Sequence, residues 1–455
     1  MKLSLLSLAS KAAMIGAQLV ATALVLGYLS PREQGYYYSF IALIAVQGIF
    51  ELGLSQVLVV FLSHEAPAAR RHDLNDYRPG RRARAIASAA LRQYVVLMVL
   101  FTLSVGVGGS LFFHFMQSIG SSSGDRVTWA VPWWLLVAAS GLRLPLIWLE
   151  AVIEGIGNIQ QVLLARTLAQ AAWLAAFFVT LLGGFGLFAP TAAALTLLVT
   201  SSLAYWRYRH TIQRLTHRHA RQAQRIDWRR EVSPMQRRVS GTWIASYLIS
   251  NTPVPICFAL LGAVEAGRAG VAFQVAAAIG VIAGALVSPK ISAASRLVAA
   301  RQFHEYRGLL LRSMRRTLAA STLVAVLGMV VIATLPIVKP QFASRLPSLL
   351  ETAPLLAAAL INSLMSCVAV FSRAQKNELF TIPLMLVALI TIVGSVAARG
   401  AGGLLTIAWV HAFSALCVTL PFSLVAFRRI MGPPSPDAST GTSVSPFPEL
   451  KSSRR

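Results

Sequence analysis

Glu51 and Arg143 each sit near the middle of a long apolar run. On insertion scales a charge at the centre of a bilayer costs roughly 2.5–3.5 kcal/mol, so such residues pair with one another or mark a pathway. Gln47 and Ser55 flank Glu51 four residues to either side, which puts all three on one helix face. Glu150 and Glu154 follow Arg143 at seven and eleven positions, within about 20° of it around an α-helix. Two chemistries are open to this set. Glu51 and Arg143 either form a buried ion pair that locks two helices together, or they line a cavity. In the cavity, Arg143 offers a planar fork to a phosphate, and Glu51 tunes it or holds a proton. Glu150 and Glu154 lie closer to the end of their run and suit a gate.

The second half of the chain offers neutral groups. Asn251-Thr252-Pro253-Val254-Pro255 lies mid-way along the seventh apolar run. Two prolines there remove backbone donors and should kink or unwind the helix, as a mere bend or as an ion or substrate site. Asn362 in the tenth run is a further candidate for a polar lining. His411 in the twelfth and His114 in the third fit packing roles better than ligand roles. Gly280 and Gly284, four residues apart, would let a neighbouring helix approach closely. Cys257, Cys367 and Cys417 are isolated in apolar runs, with neither disulfide nor zinc spacing. His217 and His219 lie among arginines, where a solvated basic face is favoured over a metal site. Neither a dinucleotide fingerprint, a phosphate loop nor a His-Glu-x-x-His motif is present, so a cofactor and direct ATP drive are not expected.

These residues must be positioned by membrane helices. The chain has 455 residues, of which 56% are hydrophobic and 13% charged, with a mean hydropathy of +0.65. A soluble protein has about 25% charged residues. Twelve runs near 8–29, 38–62, 91–116, 129–150, 161–182, 187–206, 239–262, 268–290, 317–338, 349–371, 380–398 and 402–426 are long enough to approach or span a bilayer core. The first, interrupted by Lys11, reads as a retained helix rather than a cleaved leader. The formal charge of +25 is concentrated in alternate loops: seven Arg in 63–92, ten in 207–238, and seven Lys or Arg in 290–316. The positive-inside rule then places those loops and both termini in the cytoplasm, which accounts for the charge without nucleic-acid binding. Tyr36-Tyr37-Tyr38, with Trp129, Trp133 and Trp134, are expected as an interfacial aromatic belt on the outer side. The division is a six-helix lobe at 1–206, a basic cytoplasmic linker at 207–238, a second six-helix lobe at 239–430, and a disordered tail at 431–455.

Two lobes are expected because the chain echoes itself. Leu29-Ser-Pro-Arg-Glu-Gln-Gly35 and Leu261-Gly-Ala-Val-Glu-Ala-Gly267 occupy the same place in the two halves, and Gly157-Asn158 is echoed by Lys376-Asn377. Such repeats build transporters with a cavity at the repeat interface. With Leu29 to Tyr36, Glu51-Leu-Gly53-Leu54, Glu154-Gly-Ile-Gly157-Asn158 and Leu261-Gly262, the chain resembles the polysaccharide-transport branch of the multidrug/oligosaccharidyl-lipid/polysaccharide exporter superfamily. The resemblance is spread over about residues 1–430. It implies an all-α integral membrane protein with about twelve helices in two six-helix lobes, MATE-like, working by alternating access. It also implies a bacterial inner-membrane flippase whose cargo is an oligosaccharide on a polyprenyl pyrophosphate. Its partners would be membrane lipids and the polymerase and glycosyltransferase machinery of surface polysaccharide. Arg143 suits that anionic cargo, although mid-span Lys and Arg are otherwise nearly absent. The alternative is a cation-coupled drug or metabolite antiporter using Glu51, driven by a proton or sodium gradient. A polymerase or ligase is disfavoured, because no outer loop is long enough to hold a catalytic domain.

Overall fold

The computed structural model describes residues 16–65, 80–120, 127–216, 233–375, 379–397 and 402–431. Among them every regular element is helical, as backbone groups in lipid require. The first half holds α1 (Gly16–Tyr28), α2 (Pro31–Ile44), α3 (Gln47–Glu51), α4 (Leu54–Glu65), α5 (Arg81–Gly120), α6 (Ala130–Gly155), α7 (Ile159–Leu182) and α8 (Phe188–Trp206). A short basic α9 (Arg209–Thr216) follows. The second half holds α10 (Ser233–Asn251), α11 (Pro253–Leu261), α12 (Ala263–Val287), α13 (Ile291–Ala299), α14 (Phe303–Val338), α15 (Leu349–Ala374), α16 (Thr381–Ala397), α17 (Leu404–Ser414) and α18 (Leu420–Met431).

Where its residues are described, each of the twelve expected runs falls on helix. Among the described residues nine helical spans are long and apolar enough to cross a bilayer, and the bent α2–α4 unit makes a tenth. The remaining two, α1 and α16, are shorter apolar helices. Large apolar side chains such as Leu103, Val179, Leu203 and Leu323 point outward and are more than half exposed, which only a lipid surround makes favourable. Within the first half α5 packs on α6, and α8 packs on both α6 and α7. Within the second, α12, α14 and α15 pack on one another, α15 packs on α17, and α10 packs on α16.

Contact between the halves runs chiefly through α2, which lies against α12 and α11. The two copies of the echoed motif meet there. Ser30 and Glu33 form a reciprocal cap that starts α2, with Pro31 in its first turn. Gly35 then abuts the Ala263 backbone so closely that a Cβ would overlap the Ala263 carbonyl. In the other copy, a Cβ on Gly267 would stand 3.2 Å from the Gly35 nitrogen and 3.3 Å from the Pro31 carbonyl. The shared glycine of the motif is therefore the residue that lets the helices touch. Gln34 crosses the same junction, its Nε2 donating to the carbonyls of Gly267 at 2.9 Å and Arg345 at 3.1 Å.

The aromatic belt needs correction. Tyr36, Tyr37 and Tyr38 are buried, as are Trp129 and Trp133, because α2 lies inside the bundle instead of facing headgroups. Tyr36 packs edge-on against Phe258 across the junction, with ring centroids 4.9 Å apart; Trp134 does stay exposed. The proline-rich segment interrupts the seventh span as expected, at Thr252 between α10 and α11. The sharper break, a bend of 41°, falls in the second span between Glu51 and Leu54. α10 begins at Ser233, so the last residues of the basic 207–238 stretch are helical. His217, His219, the Lys376-Asn377 echo and the tail beyond Met431 lie outside the described residues.

Candidate functional site

Glu51 ends α3 at the break. Leu52 has φ 46° and Gly53 φ 71°, so two successive residues adopt the left-handed conformation that L side chains disfavour by roughly 1–2 kcal/mol each, glycine excepted. The turn reverses Glu51 onto the start of α4. Its Oε1 accepts from the Ser55 backbone N–H at 3.2 Å and from the Tyr94 hydroxyl of α5 at 3.0 Å. A carboxylate at a helix N-terminus meets unsatisfied donors and the positive end of the dipole. Gln47, one turn earlier, donates from Nε2 to the Ser140 carbonyl of α6 at 3.3 Å. The break separates Ser55 from the helix that carries Gln47 and Glu51, and the hydrogen bonds of Gln47 and Glu51 stitch the broken span to α6 and α5.

Arg143 does not pair with Glu51. It is half-buried on α6, and no hydrogen bond or ion pair among the described residues involves it; Tyr205 of α8 lies within its electrostatic reach. The ion-pair alternative fails because the broken span turns the Glu51 carboxylate toward local N–H and O–H donors. Glu150 and Glu154 have a different partner. Arg166 of α7 donates from Nε to Glu150 Oε2 at 2.8 Å, and its other arm stands 3.8 Å from Glu154. Glu150 is buried, whereas the Arg166 side chain is 44% exposed. Tyr205 also lies beside Glu150 and Arg166, so α6, α7 and α8 share one polar cluster.

Sequence reasoning missed Arg166. A signal was available: two carboxylates one helical turn apart in an apolar segment call for a nearby cation, and the adjacent span carries a single arginine. Asn251 ends α10 and Asn362 lies on α15, both half-buried. No described hydrogen bond or ion pair joins either one to the first-half charges. Among the described residues, no group of three His, Cys, Asp or Glu side chains could hold a metal ion.

With this geometry in place, comparison with solved structures settles the fold. The chain superposes on an inward-facing multidrug resistance MATE family transporter of the MOP superfamily, with TM-score 0.61 and 15% identity over 94% of this chain and 98% of that one. It superposes equally well on the lipid II flippase MurJ in an inward closed conformation, with TM-score 0.60 and 12% identity over 94% and 89%. A MOP superfamily transporter from Pyrococcus furiosus matches with TM-score 0.58 and 14% identity over 94% of each chain. The fold is MATE-like. No family model matches the chain, and no curated protein matches it by sequence. Within this frame Glu51, Arg143 and the Glu150–Arg166–Glu154 cluster all belong to the first half, and Asn251 and Asn362 belong to the second.

Proposed function

We propose that this protein is a flippase that moves a polyprenyl-pyrophosphate-linked oligosaccharide across a bacterial cytoplasmic membrane for surface polysaccharide synthesis. The observation that carries this reading is the state of the mid-span charges. Glu150 and Glu154 are matched by Arg166, and Glu51 is held by Tyr94 and the start of α4. Arg143 is the mid-span cation left without an ion pair among the described residues, and a guanidinium presents the bidentate geometry that phosphate oxygens accept. The fold is shared with a lipid II flippase, which makes a large lipid-linked cargo compatible with it. The basic loops and both termini face the cytoplasm, and the junction of α2 with α12 closes the outer end. Cargo enters from the inner leaflet, where the glycosyltransferases work, and leaves on the outer side, where polymerases receive it.

A second reading is favoured by one observation. Glu51 is a mid-span carboxylate at a broken helix, a kind of position that binds cations in transporters, and multidrug MATE transporters share the fold. On that reading the cargo is cationic, and a proton or sodium gradient drives it. Arg143→Ala separates the two. Under the flippase reading it stops surface-glycan export while the protein still inserts at normal levels, measured by glycan staining and membrane immunoblot. Normal surface glycan in that variant removes Arg143 from the mechanism.

A further inference from the structure

Leu195, Val199, Leu203 and Trp206 are all exposed on α8, Trp206 by 64%. At 100° per residue the four fall within about 80° of arc, so they form one stripe, which only lipid makes favourable to leave uncovered. Trp206 ends the helix, immediately before the basic stretch 207–238. An exposed tryptophan where a span gives way to charged residues marks the headgroup level. The chain turns there: Arg207 and Tyr208 form an elbow, and α9 starts at Arg209. Tyr208 and Leu215 are buried and α9 packs on α5, so the elbow is fixed to the bundle with Arg207 and Arg209 on its exposed side.

Both guanidinium groups are held in place by aromatic rings. Arg207 lies 4.9 Å from the centre of the Tyr208 ring, and its Nη2 donates to Gln161 Oε1 of α7 at 2.7 Å. Arg209 lies 5.7 Å from the centre of the Trp206 ring. Stacking orients a guanidinium without consuming its N–H donors, and neither arginine has an ion pair among the described residues. Two oriented cations therefore flank a headgroup-level tryptophan at the foot of a lipid-facing stripe. A phospholipid whose acyl chains lie along that stripe brings its phosphate to this level. A zwitterionic headgroup would also bring an ammonium ion up to the two arginines, whereas an anionic headgroup brings none. We infer that the corner of α7, α8 and α9 is a binding site for an anionic phospholipid, its phosphate on Arg207 and Arg209 and an acyl chain along Val199 and Leu203. A soluble phosphate would meet the arginines but gain nothing from the stripe. The site lies on the outer surface of α8 and does not depend on which cargo the protein carries.

Tryptophan fluorescence of the full-length protein in phosphatidylcholine vesicles tests the assignment, with phosphatidylglycerol brominated on its acyl chains titrated in as the quencher. The part of the quenching that Trp206→Phe removes reports on this corner alone. The expected result is saturable quenching of Trp206 at a much lower mole fraction of brominated phosphatidylglycerol than of brominated phosphatidylcholine. Each arginine contributes about fivefold to that preference. Arg207→Gln and Arg209→Gln each raise the half-quenching mole fraction by about that factor, and together they bring the two lipids level. Arg428→Gln with Arg429→Gln removes the same charge from exposed positions on α18 and leaves the half-point unchanged. Excess free glycerol phosphate also leaves it unchanged. Equal half-points for the two lipids with the unaltered protein, or no shift when Arg207 and Arg209 are both replaced, would overturn the assignment. So would an equal shift from the α18 pair, which would reduce the effect to bulk surface charge, or relief of quenching by glycerol phosphate, which would make the ligand a soluble anion.

Discussion

Glu150 is a buried carboxylate whose described hydrogen-bond partner is the half-exposed Arg166. Removing the cation leaves a desolvated charge short of a partner, which costs more than the net worth of the pair. Arg166→Ala is expected to lower stability by about 1–3 kcal/mol, read as a fall of several degrees in the melting temperature of the purified protein. Glu150→Gln in the same background should recover part of the loss, because an amide is cheaper to bury than a carboxylate. No change in melting temperature on Arg166→Ala would mean that the cluster is solvated and does not tie α6 to α7. The carboxylate stripe on α6 was legible from residue spacing alone. Its partner was not, since helical periodicity says which face a residue occupies and is silent on which helix lies opposite. The same limit explains why Glu51 and Arg143, at matching depths in the sequence, turn out to be apart.

At the scale of elements, α2 decides the architecture. Its start is legible: Ser30-Pro31-Arg32-Glu33 is a reciprocal cap with proline in the first turn, and the helix begins there. Its burial was not legible, because three tyrosines at a span end look alike whether they face headgroups or a neighbouring helix. The glycine of the repeat resolves the difference, since Gly35 brings the α2 backbone onto Ala263. Gly35→Ala must part α2 from α12 and open this end of the bundle. Cys257, buried on α11 beside Phe258, reports the opening. In a background with Cys367 and Cys417 replaced by serine, Gly35→Ala should raise maleimide labelling of Cys257 several-fold. Unchanged labelling would show that the contact is not what closes this end. The break at Leu52–Gly53 was also unforeseen. Prolines advertise a break, and a lone glycine after a leucine does not; yet the prolines of the seventh span were absorbed with a one-residue interruption at Thr252.

For the whole molecule, twelve apolar runs and an echoed motif were enough to read a two-lobed helical membrane protein, and the MATE-like superposition agrees. Hydropathy carries that far because lipid leaves a chain few ways to satisfy its backbone. Cargo is a different kind of question, since one fold serves multidrug transporters and a lipid II flippase alike. The central claim is that Arg143, which has no ion pair among the described residues, serves a pyrophosphate-linked cargo. Its most direct test reconstitutes the purified protein in vesicles loaded on one leaflet with a fluorescent polyprenyl-pyrophosphate oligosaccharide, and follows its arrival on the other. The account predicts translocation by the unaltered protein and loss of at least nine-tenths of the rate, roughly 1.4 kcal/mol or more in barrier, in Arg143→Ala. Equal rates in the two proteins, or no glycolipid movement alongside proton-coupled export of a small cationic drug that Glu51→Gln abolishes, would contradict it.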